Sequence, residues 1–169
     1  MKRQSGFTLI ELIIVIVILG ILAVTAAPQF FNFGGDARSS TVRGMEGSVK
    51  AAADLVYARS AIDGNEGEID ASVTLSGTGT VSTIFGYPAA SAAGIIAAIN
   101  ADFGTGDAAD NENDWYYTGG SSDAGDTIFI RPRGQEENTG CQVEYTAADG
   151  DATDGMSARS SVTVDVSGC

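Results

Sequence analysis

Residues 7–27 read FTLIELIIVIVILGILAVTAA, a stretch of 21 residues in which Glu11 carries the only ionisable side chain. At about 1.5 Å per residue, a helix of this length spans roughly 30 Å, the thickness of the hydrocarbon core of a bilayer. Lys2 and Arg3 precede the stretch and favour a cytoplasmic N-terminus. A secretory signal is disfavoured, because its apolar part is only about 7–15 residues long and because Pro28 follows the small residues. The sequence therefore predicts a membrane-spanning helix.

The charge of the chain is divided between four segments. Residues 1–6 carry +2, residues 7–35 carry −1, residues 36–60 carry +1 and residues 61–169 carry −15, which gives the net charge of −13. This acidic balance argues against nucleic acid as a partner, because phosphates need a dense basic surface. The chain has no His, and no nucleophile stands beside an evident base. We therefore expect no enzyme, no cofactor and no metal centre.

Glu11 needs an explanation, because a carboxylate within a membrane span costs about 2.5–3.5 kcal/mol and usually has a function. The nearest cation that the chain could supply is an α-amine created at Phe7, on the same chain or on a neighbouring copy. A carboxylate in the first turn of a helix is also stabilised by the helix dipole, by about 0.3–1 kcal/mol. Glu11 is therefore predicted to be a functional residue.

The residues GFTLIEL at 6–12, behind a short basic leader, resemble the class III signal of type IV prepilins. The resemblance implies that residues 1–6 are a leader, that a prepilin peptidase cuts between Gly6 and Phe7, and that the new Phe7 amine is methylated. It also implies that Glu11 pairs with the Phe7 amine of a neighbouring subunit during assembly of a homopolymeric filament. The precursor is then expected in the inner membrane, where the pilus assembly machinery lies.

Gly20 and Pro28 match positions at which pilin helices loosen, and both residues have physical effects of their own. Pro28 lacks an N–H group and its ring crowds the preceding turn, so a helix bends or opens there. Gly20 weakens a helix by about 1 kcal/mol relative to Ala. The stretch between them is predicted to lose helical hydrogen bonds when subunits pack. A kinked membrane helix without a further role is the alternative.

Residues 7–32 are, among pilins, most similar to the mannose-sensitive haemagglutinin pilins of Gram-negative marine bacteria, and GYPAASAA (86–93) and GCQVEYTAA (140–148) point to the same group. The resemblance implies a major structural subunit of an extracellular pilus that serves attachment, biofilm formation and haemagglutination, with surface glycans open as ligands. Two alternatives stay open. One is a pseudopilin of a type II secretion system, and the other is a carbohydrate-binding domain on a plain membrane anchor.

Residues 36–169, called the head below, are predicted to be α+β. Residues 36–60 form an amphipathic helix with apolar residues at spacings of three and four: Val42, Met45, Val49, Ala52 and Val56. Aromatic and alternating patterns predict four strands, which suggest one antiparallel sheet with a face covered by the helix: 115–117, 127–131, 141–146 and 161–166. The resemblance adds the type IV pilin fold, in which the hydrophobic half of the long N-terminal helix, residues 7–35, protrudes from the head.

The segments between these elements are predicted to be mostly irregular. Residues 61–82 are rich in Gly and acids and are assigned to a connection, and residues 102–114 to a surface loop. Ser91 is the predicted N-cap of a short helix over 91–101. Calcium binding stays open for the acidic stretches 107–114 and 149–154, although solvated acidic loops are the more common case.

Cys141 and Cys169 are the only cysteines, and residues 141–169 are predicted to be a disulfide region in an oxidising compartment. The bridge closes a loop of 29 residues, which corresponds to about 3.5 kcal/mol of stabilisation in the chain-entropy description. Two buried free thiols are the alternative. By resemblance the pair favours a pilin, because the calcium-binding major pseudopilins usually lack a C-terminal disulfide.

Overall fold

The structure is a computed structural model that describes three stretches of the chain: 8–106, 112–137 and 139–169. Within these stretches, the side chains of residues 27–32 are not described. The chain divides into two compact units, Met1–Ala37 and Arg38–Cys169. Helix α1, Leu9–Asp63, contributes to both units. The first unit contains the N-terminal part of α1, and the second contains its C-terminal part together with all the described strands.

In the second unit, α1 turns one apolar stripe towards the core. All five predicted residues of this stripe are at most 8% exposed: Val42, Met45, Val49, Ala52 and Val56. Leu55, outside the stripe, is 58% exposed. The amphipathic pattern predicted for 36–60 is thus confirmed. The helix ends at Asp63, because Gly64 takes a φ of 75°, the left-handed conformation typical of the residue after a helix.

Ten strands lie in the described part of the second unit: β1 (Ala71–Leu75), β2 (Gly79–Ile84), β3 (Tyr87–Pro88), β4 (Phe103–Thr105), β5 (Trp115–Gly119), β6 (Thr127–Pro132), β7 (Gln142–Thr146), β8 (Asp149–Asp151), β9 (Gly155–Ala158) and β10 (Ser161–Asp165). They form a sheet in the order β1-β2-β3, a second in the order β10-β7-β6-β5-β4, and a pair β8-β9. The four predicted strands correspond to β5, β6, β7 and β10. They are neighbours in one sheet and their mutual pairings are antiparallel, as predicted.

The five-stranded sheet has a core face and an outer face. On the core face, Ile130 pairs in register with Tyr117 on one side and with Val143 on the other. Ile130, Val143 and Tyr145 are fully buried and share one core with Val49 of α1. The outer face is defined by the alternate residues of the same strands: Thr118, Phe129, Arg131, Gln142 and Glu144. The alternating pattern from which the strand at 141–146 is predicted thus corresponds to two different faces of β7.

Tyr145 links the five-stranded sheet to the three-stranded one. Its hydroxyl donates a hydrogen bond of 2.6 Å to the carbonyl oxygen of Pro88, which is the last residue of β3. Burial raises the pKa of the Tyr145 hydroxyl, because the phenolate is poorly solvated there. The two sheets are thus joined by a buried hydrogen bond that requires the protonated phenol.

The prediction of the connections is wrong in two places. Residues 61–82 hold β1 and most of β2, a hairpin that buries Val73, Leu75 and Val81. Residues 102–114 are not only a surface loop, because β4 lies there and pairs in parallel with β5. The sheet therefore has five strands instead of four and is mixed instead of purely antiparallel. Backbone pairing to a neighbouring strand overrides the polar, Gly-rich character of both segments.

The helix predicted at 91–101 is shorter and is interrupted by a kink. Ser91 is its N-cap, as predicted, and the Ser91 hydroxyl accepts a hydrogen bond from the Gly94 N–H at 3.1 Å. Helical structure begins at Ala92, is broken by non-helical dihedrals at Gly94 and ends at position 98. Gly94 takes φ −97° and ψ −111°, and a Cβ atom there would clash with the Ala89 carbonyl oxygen. This close approach of two backbone segments interrupts regular helix geometry.

Candidate functional site

Thr8 and Glu11 cap the N-terminus of α1. The Thr8 backbone N–H and the Thr8 hydroxyl both donate a hydrogen bond to Glu11 Oε2, each at a distance of 2.8 Å. In return, the Thr8 hydroxyl accepts a hydrogen bond from the Glu11 N–H at 3.3 Å. This reciprocal arrangement is a capping box, which satisfies backbone donors that a helix end leaves unpaired. The T-x-x-E spacing is its sequence signature, although Thr8 is not among the predicted site residues.

The helix that follows this cap carries a long apolar surface. The 18 residues Leu9–Ala26 have a mean hydropathy of 3.0, and none of this stretch is buried. Leu9 is 75% exposed and Val24 is 76% exposed, although both are large apolar side chains. By length and composition the stretch is able to cross a membrane. Exposure of so much contiguous apolar surface to water is unfavourable, so lipid or other protein must cover it.

The remaining predicted residues of the N-terminal site are placed as follows. Gly6 and Phe7 lie outside the described residues, so the cut between them stays a prediction. Gly20 and Pro28 lie within the bounds of α1. A Cβ atom at Gly20 would meet nothing within 4 Å, so no contact of the described residues requires glycine there. The predicted loosening concerns packed subunits and also stays a prediction.

Cys141 and Cys169 form the predicted disulfide, with their Cα atoms 4.8 Å apart. Cys141 directly precedes β7, and Cys169 follows β10, the neighbouring edge strand. Two further contacts hold this corner: the Gly168 N–H donates to the Gly140 carbonyl at 2.8 Å, and Arg38 Nη1 donates to the Cys169 carbonyl at 3.1 Å. The segment at Gly168 and Cys169 is therefore fixed both to the sheet and to α1.

The acidic turn at 149–154 engages its carboxylates internally. Asp151 Oδ1 accepts hydrogen bonds from the backbone N–H groups of Thr153 and Asp154, both at 2.7 Å. These bonds lower the pKa of the Asp151 carboxyl, because they favour its charged form. Among the described residues, no group of three or more His, Cys, Asp or Glu side chains is placed to hold a metal ion. Residues 107–111 of the other acidic stretch lie outside the described part of the chain.

Residues 1–27 match the family described as Prokaryotic N-terminal methylation motif. The chain is 42% identical over 65 residues to the Type IV major fimbrial protein FimA of Dichelobacter nodosus. These 65 residues are 38% of this chain and 39% of that protein. It is 44% identical over 54 residues to the Type IV major alpha-pilin of Moraxella bovis, covering 32% of this chain and 34% of that one. The Type II secretion system core protein G of Pseudomonas aeruginosa is 43% identical over 54 residues, 32% of this chain and 38% of that one.

The chain thus spans between 34% and 39% of the length of these curated relatives. No solved structure matches it. The chain carries a prepilin-type methylation motif at 1–27 and is similar, over about a third of its length, to type IV pilins and to a type II secretion core protein. Its architecture is α+β, with a long helix whose N-terminal part is apolar and with largely antiparallel sheets, and it is consistent with the type IV pilin fold.

Proposed function

We propose that this chain is the structural subunit of a type IV pilus, a homopolymeric extracellular filament. The observation that supports this most strongly is the N-terminal part of α1, whose apolar side chains are exposed along the whole of Leu9–Ala26. Lipid covers such a surface before assembly, and the same helices of other copies cover it in a filament. Because the surface avoids water in both states, the transfer from the membrane to the filament is thermodynamically tolerable.

In this proposal, maturation supplies a cation for Glu11. A prepilin peptidase would remove residues 1–6 and the amine of Phe7 would be methylated, which keeps its positive charge. Both Thr8 donors reach the same Glu11 oxygen, Oε2, and the carboxylate has a second oxygen, Oε1, for an ammonium group. An ion pair away from water is strong only when its geometry is good. The pair of Glu11 with a neighbour's Phe7 amine would therefore set the axial register of each added subunit.

The variant Glu11→Gln separates the charge of this residue from its capping role, because Gln also fits a capping box. We expect cells that make this variant to lose surface filaments while the chain stays in the membrane. The variant Thr8→Ala keeps the Glu11 charge but removes the capping hydroxyl, which should destabilise the N-terminus of the helix by about 1 kcal/mol. We expect Thr8→Ala cells to keep filaments. Electron microscopy of sheared surface material, with immunoblots of the membrane fraction, measures both results.

Glu46→Gln is the matched control for this experiment. Glu46 is an acid on the same helix, paired with Lys50 on the surface at 2.6 Å, and its neutral variant should leave filaments at the wild-type level. Normal filaments from Glu11→Gln cells would contradict the register role of the charge. Loss of filaments in Thr8→Ala cells as complete as in Glu11→Gln cells would show that capping, and not charge, is what assembly needs.

The proposed filament would also have functions at the cell surface. By its resemblance to the mannose-sensitive haemagglutinin pilins at 7–32, 86–93 and 140–148, the filament would extend from a Gram-negative cell and serve attachment, biofilm formation and haemagglutination, with surface glycans as ligands. Deletion of the chain should abolish haemagglutination, and its return on a plasmid should restore it. Free mannose should inhibit the restored activity. Haemagglutination that survives the deletion would remove this part of the proposal.

A pseudopilin of a type II secretion system is the second candidate function. It is favoured by the 43% identity to the core protein G of Pseudomonas aeruginosa. The match to that protein covers the same share of the chain, 32%, as the match to the Moraxella bovis pilin. The disulfide between Cys141 and Cys169 favours the pilin. Deletion of the chain separates the two: a pseudopilin is needed for the export of secreted enzymes, whereas a pilin is needed for surface filaments.

A further inference from the structure

The outer face of the five-stranded sheet contains a cavity that is built around a buried arginine. The cavity has a volume of about 160 Å³ and is lined by Thr118, Gly119, Phe129, Arg131, Glu137 and Gln142. Arg131 is only 1% exposed, which is unusual for a residue whose charge cannot be neutralised. None of these residues belongs to the apolar stretch Leu9–Ala26 or to the disulfide between Cys141 and Cys169.

The contacts of the Arg131 guanidinium include one neutral and one charged group. Its Nη2 donates to the Thr118 hydroxyl at 3.1 Å. The same nitrogen lies 3.5 Å from Oε1 of Glu137, longer than the roughly 2.7–2.9 Å of a strong charge-assisted hydrogen bond. The Glu137 side chain is 51% exposed, so this carboxylate is still largely in water. The buried cation thus faces a carboxylate that is loosely held and can be displaced.

We propose that this cavity binds a small carboxylate carried on a hydroxylated ring, such as a uronic acid, with the ligand carboxylate replacing that of Glu137 beside Arg131. Arginine offers a planar fork of donors that fits a carboxylate bidentately. Phe129 provides a ring face for the apolar side of a sugar, and the Gln142 amide and the Thr118 hydroxyl provide partners for its hydroxyls. An apolar wall with a few converging polar groups is typical of small-molecule sites.

The test uses the full chain in detergent micelles, so its outcome does not depend on filament assembly. D-glucuronate is the probe, and binding is measured by saturation-transfer NMR titration. D-glucose, which has the ring without the charge, and acetate, which has the charge without the ring, are the two comparisons. We expect glucuronate to bind more tightly than either. Equal binding of glucose would overturn the role of Arg131, and equal binding of acetate would overturn the role of the ring.

Two variants give opposite expected signs. Glu137→Gln removes the competing carboxylate and should tighten glucuronate binding by about two- to fivefold, the size of an exposed ion pair. Arg131→Gln should weaken it by at least about tenfold, as expected for a charged hydrogen-bonding partner. Arg133→Gln is the matched control, because Arg133 lies just beyond β6, pairs with Asp114 at 3.2 Å and does not line the cavity. It should leave the affinity unchanged.

A purely structural ion pair makes different predictions. In that case Glu137→Gln lowers the melting temperature and leaves glucuronate unbound, which would overturn the proposal. If Arg131→Gln does not fold, two other variants still test the proposal. Glu137→Gln should tighten glucuronate binding, and adding Phe129→Ala to it should abolish that gain in affinity. The absence of detectable glucuronate binding to both the wild type and Glu137→Gln would equally overturn it.

Discussion

Apolar side chains are exposed in the N-terminal part of helix α1 and buried in its C-terminal part. Val17, in the first unit, is 54% exposed, whereas Val49, in the second, is fully buried under the sheet. Both lie on one helix, and neither helix geometry nor residue type explains the difference. What differs is the presence of a partner surface: the head supplies one for Val49, and no described part of the chain supplies one for Val17.

This difference indicates which part of the molecule buries its apolar side chains within a single chain and which part needs other surroundings. The head is complete within a single chain, since its core, two larger sheets and disulfide all come from residues 38–169. The N-terminal part of α1 is incomplete in the same sense. Its apolar side chains reach a stable environment only in lipid or against other protein, so the proposed assembly of subunits concerns this part of the molecule.

The largest expected effect is on the head and comes from removing its covalent closure. Replacement of Cys141 and Cys169 by Ser opens a loop whose ends are 28 positions apart and should lower the free energy of unfolding by about 3.5 kcal/mol. Near-ultraviolet circular dichroism of the detergent-solubilised chain should show earlier melting of the head, while far-ultraviolet signal from the N-terminal helix persists. An unchanged melting midpoint would show that the corner does not depend on the bridge.

The next effect compares the two valines directly. Val49→Ala deletes buried methyl groups and should cost about 2 kcal/mol of stability in the isolated subunit, from lost transfer energy and from the cavity left behind. Val17→Ala should cost nothing there, because Val17 has no buried contact to lose. Denaturant titration in detergent measures both. Equal losses at the two positions would remove the distinction between a complete and an incomplete part of the molecule.

A smaller effect tests the hydrogen bond that joins the sheets of the head. Tyr145→Phe should cost about 1 kcal/mol at neutral pH, because the Pro88 carbonyl loses its donor. The pKa of Tyr145 is raised in the folded state, so the folded chain retains the phenolic proton more strongly than the unfolded one. This contribution is fully present below the unfolded pKa of about 10 and is lost as the pH rises above it.

The pH dependence distinguishes this bond from a simple packing effect. Thermal melting between pH 8 and pH 11 should show that the stability of the wild type falls more steeply above pH 10 than that of Tyr145→Phe. Parallel pH profiles for the two chains would mean that the buried hydroxyl contributes nothing through its protonation.

The smallest effect tests the helix of the first unit. Gly20→Ala should stabilise helix formation by less than about 1 kcal/mol, since an added Cβ atom meets nothing within 4 Å. Gly47→Ala makes the same change on the same helix within the head, also into open space. If loosening near Gly20 matters in packed subunits, Gly20→Ala should reduce filament yield and Gly47→Ala should not. Equal yields would favour a plain kinked helix.

Much of the head follows from local patterns in the sequence. The spacing of Val42, Met45 and Val49 determines the buried face of α1, and alternation determines the facing of β7 and β10. Those strands were predictable because the hydrophobic period of a half-buried strand is short and is visible within five or six residues. The capping box of Thr8 and Glu11 was also readable, from its T-x-x-E spacing.

The missed elements depend on contacts distant in sequence or on exceptional geometry. Strand β4 has three residues and exists through its parallel pairing with β5, which no local pattern encodes. The hairpin β1–β2 does alternate, at Val73, Leu75 and Val81, but its Gly-rich turn and the acidic segment before it are typical of loops. The cavity at Arg131 is assembled from three neighbouring strands and the segment after β6, so its members are scattered along the chain.

The most direct test of assembly through the N-terminal part of α1 is the intact mass of this chain recovered from sheared extracellular filaments. The predicted mass is that of residues 7–169 with one amine hydrogen replaced by a methyl group and with two hydrogen atoms fewer, for the disulfide between Cys141 and Cys169. Recovery of the chain only from membranes, with residues 1–6 still attached, would contradict the proposal. So would a mature chain that begins beyond the apolar stretch, at Pro28.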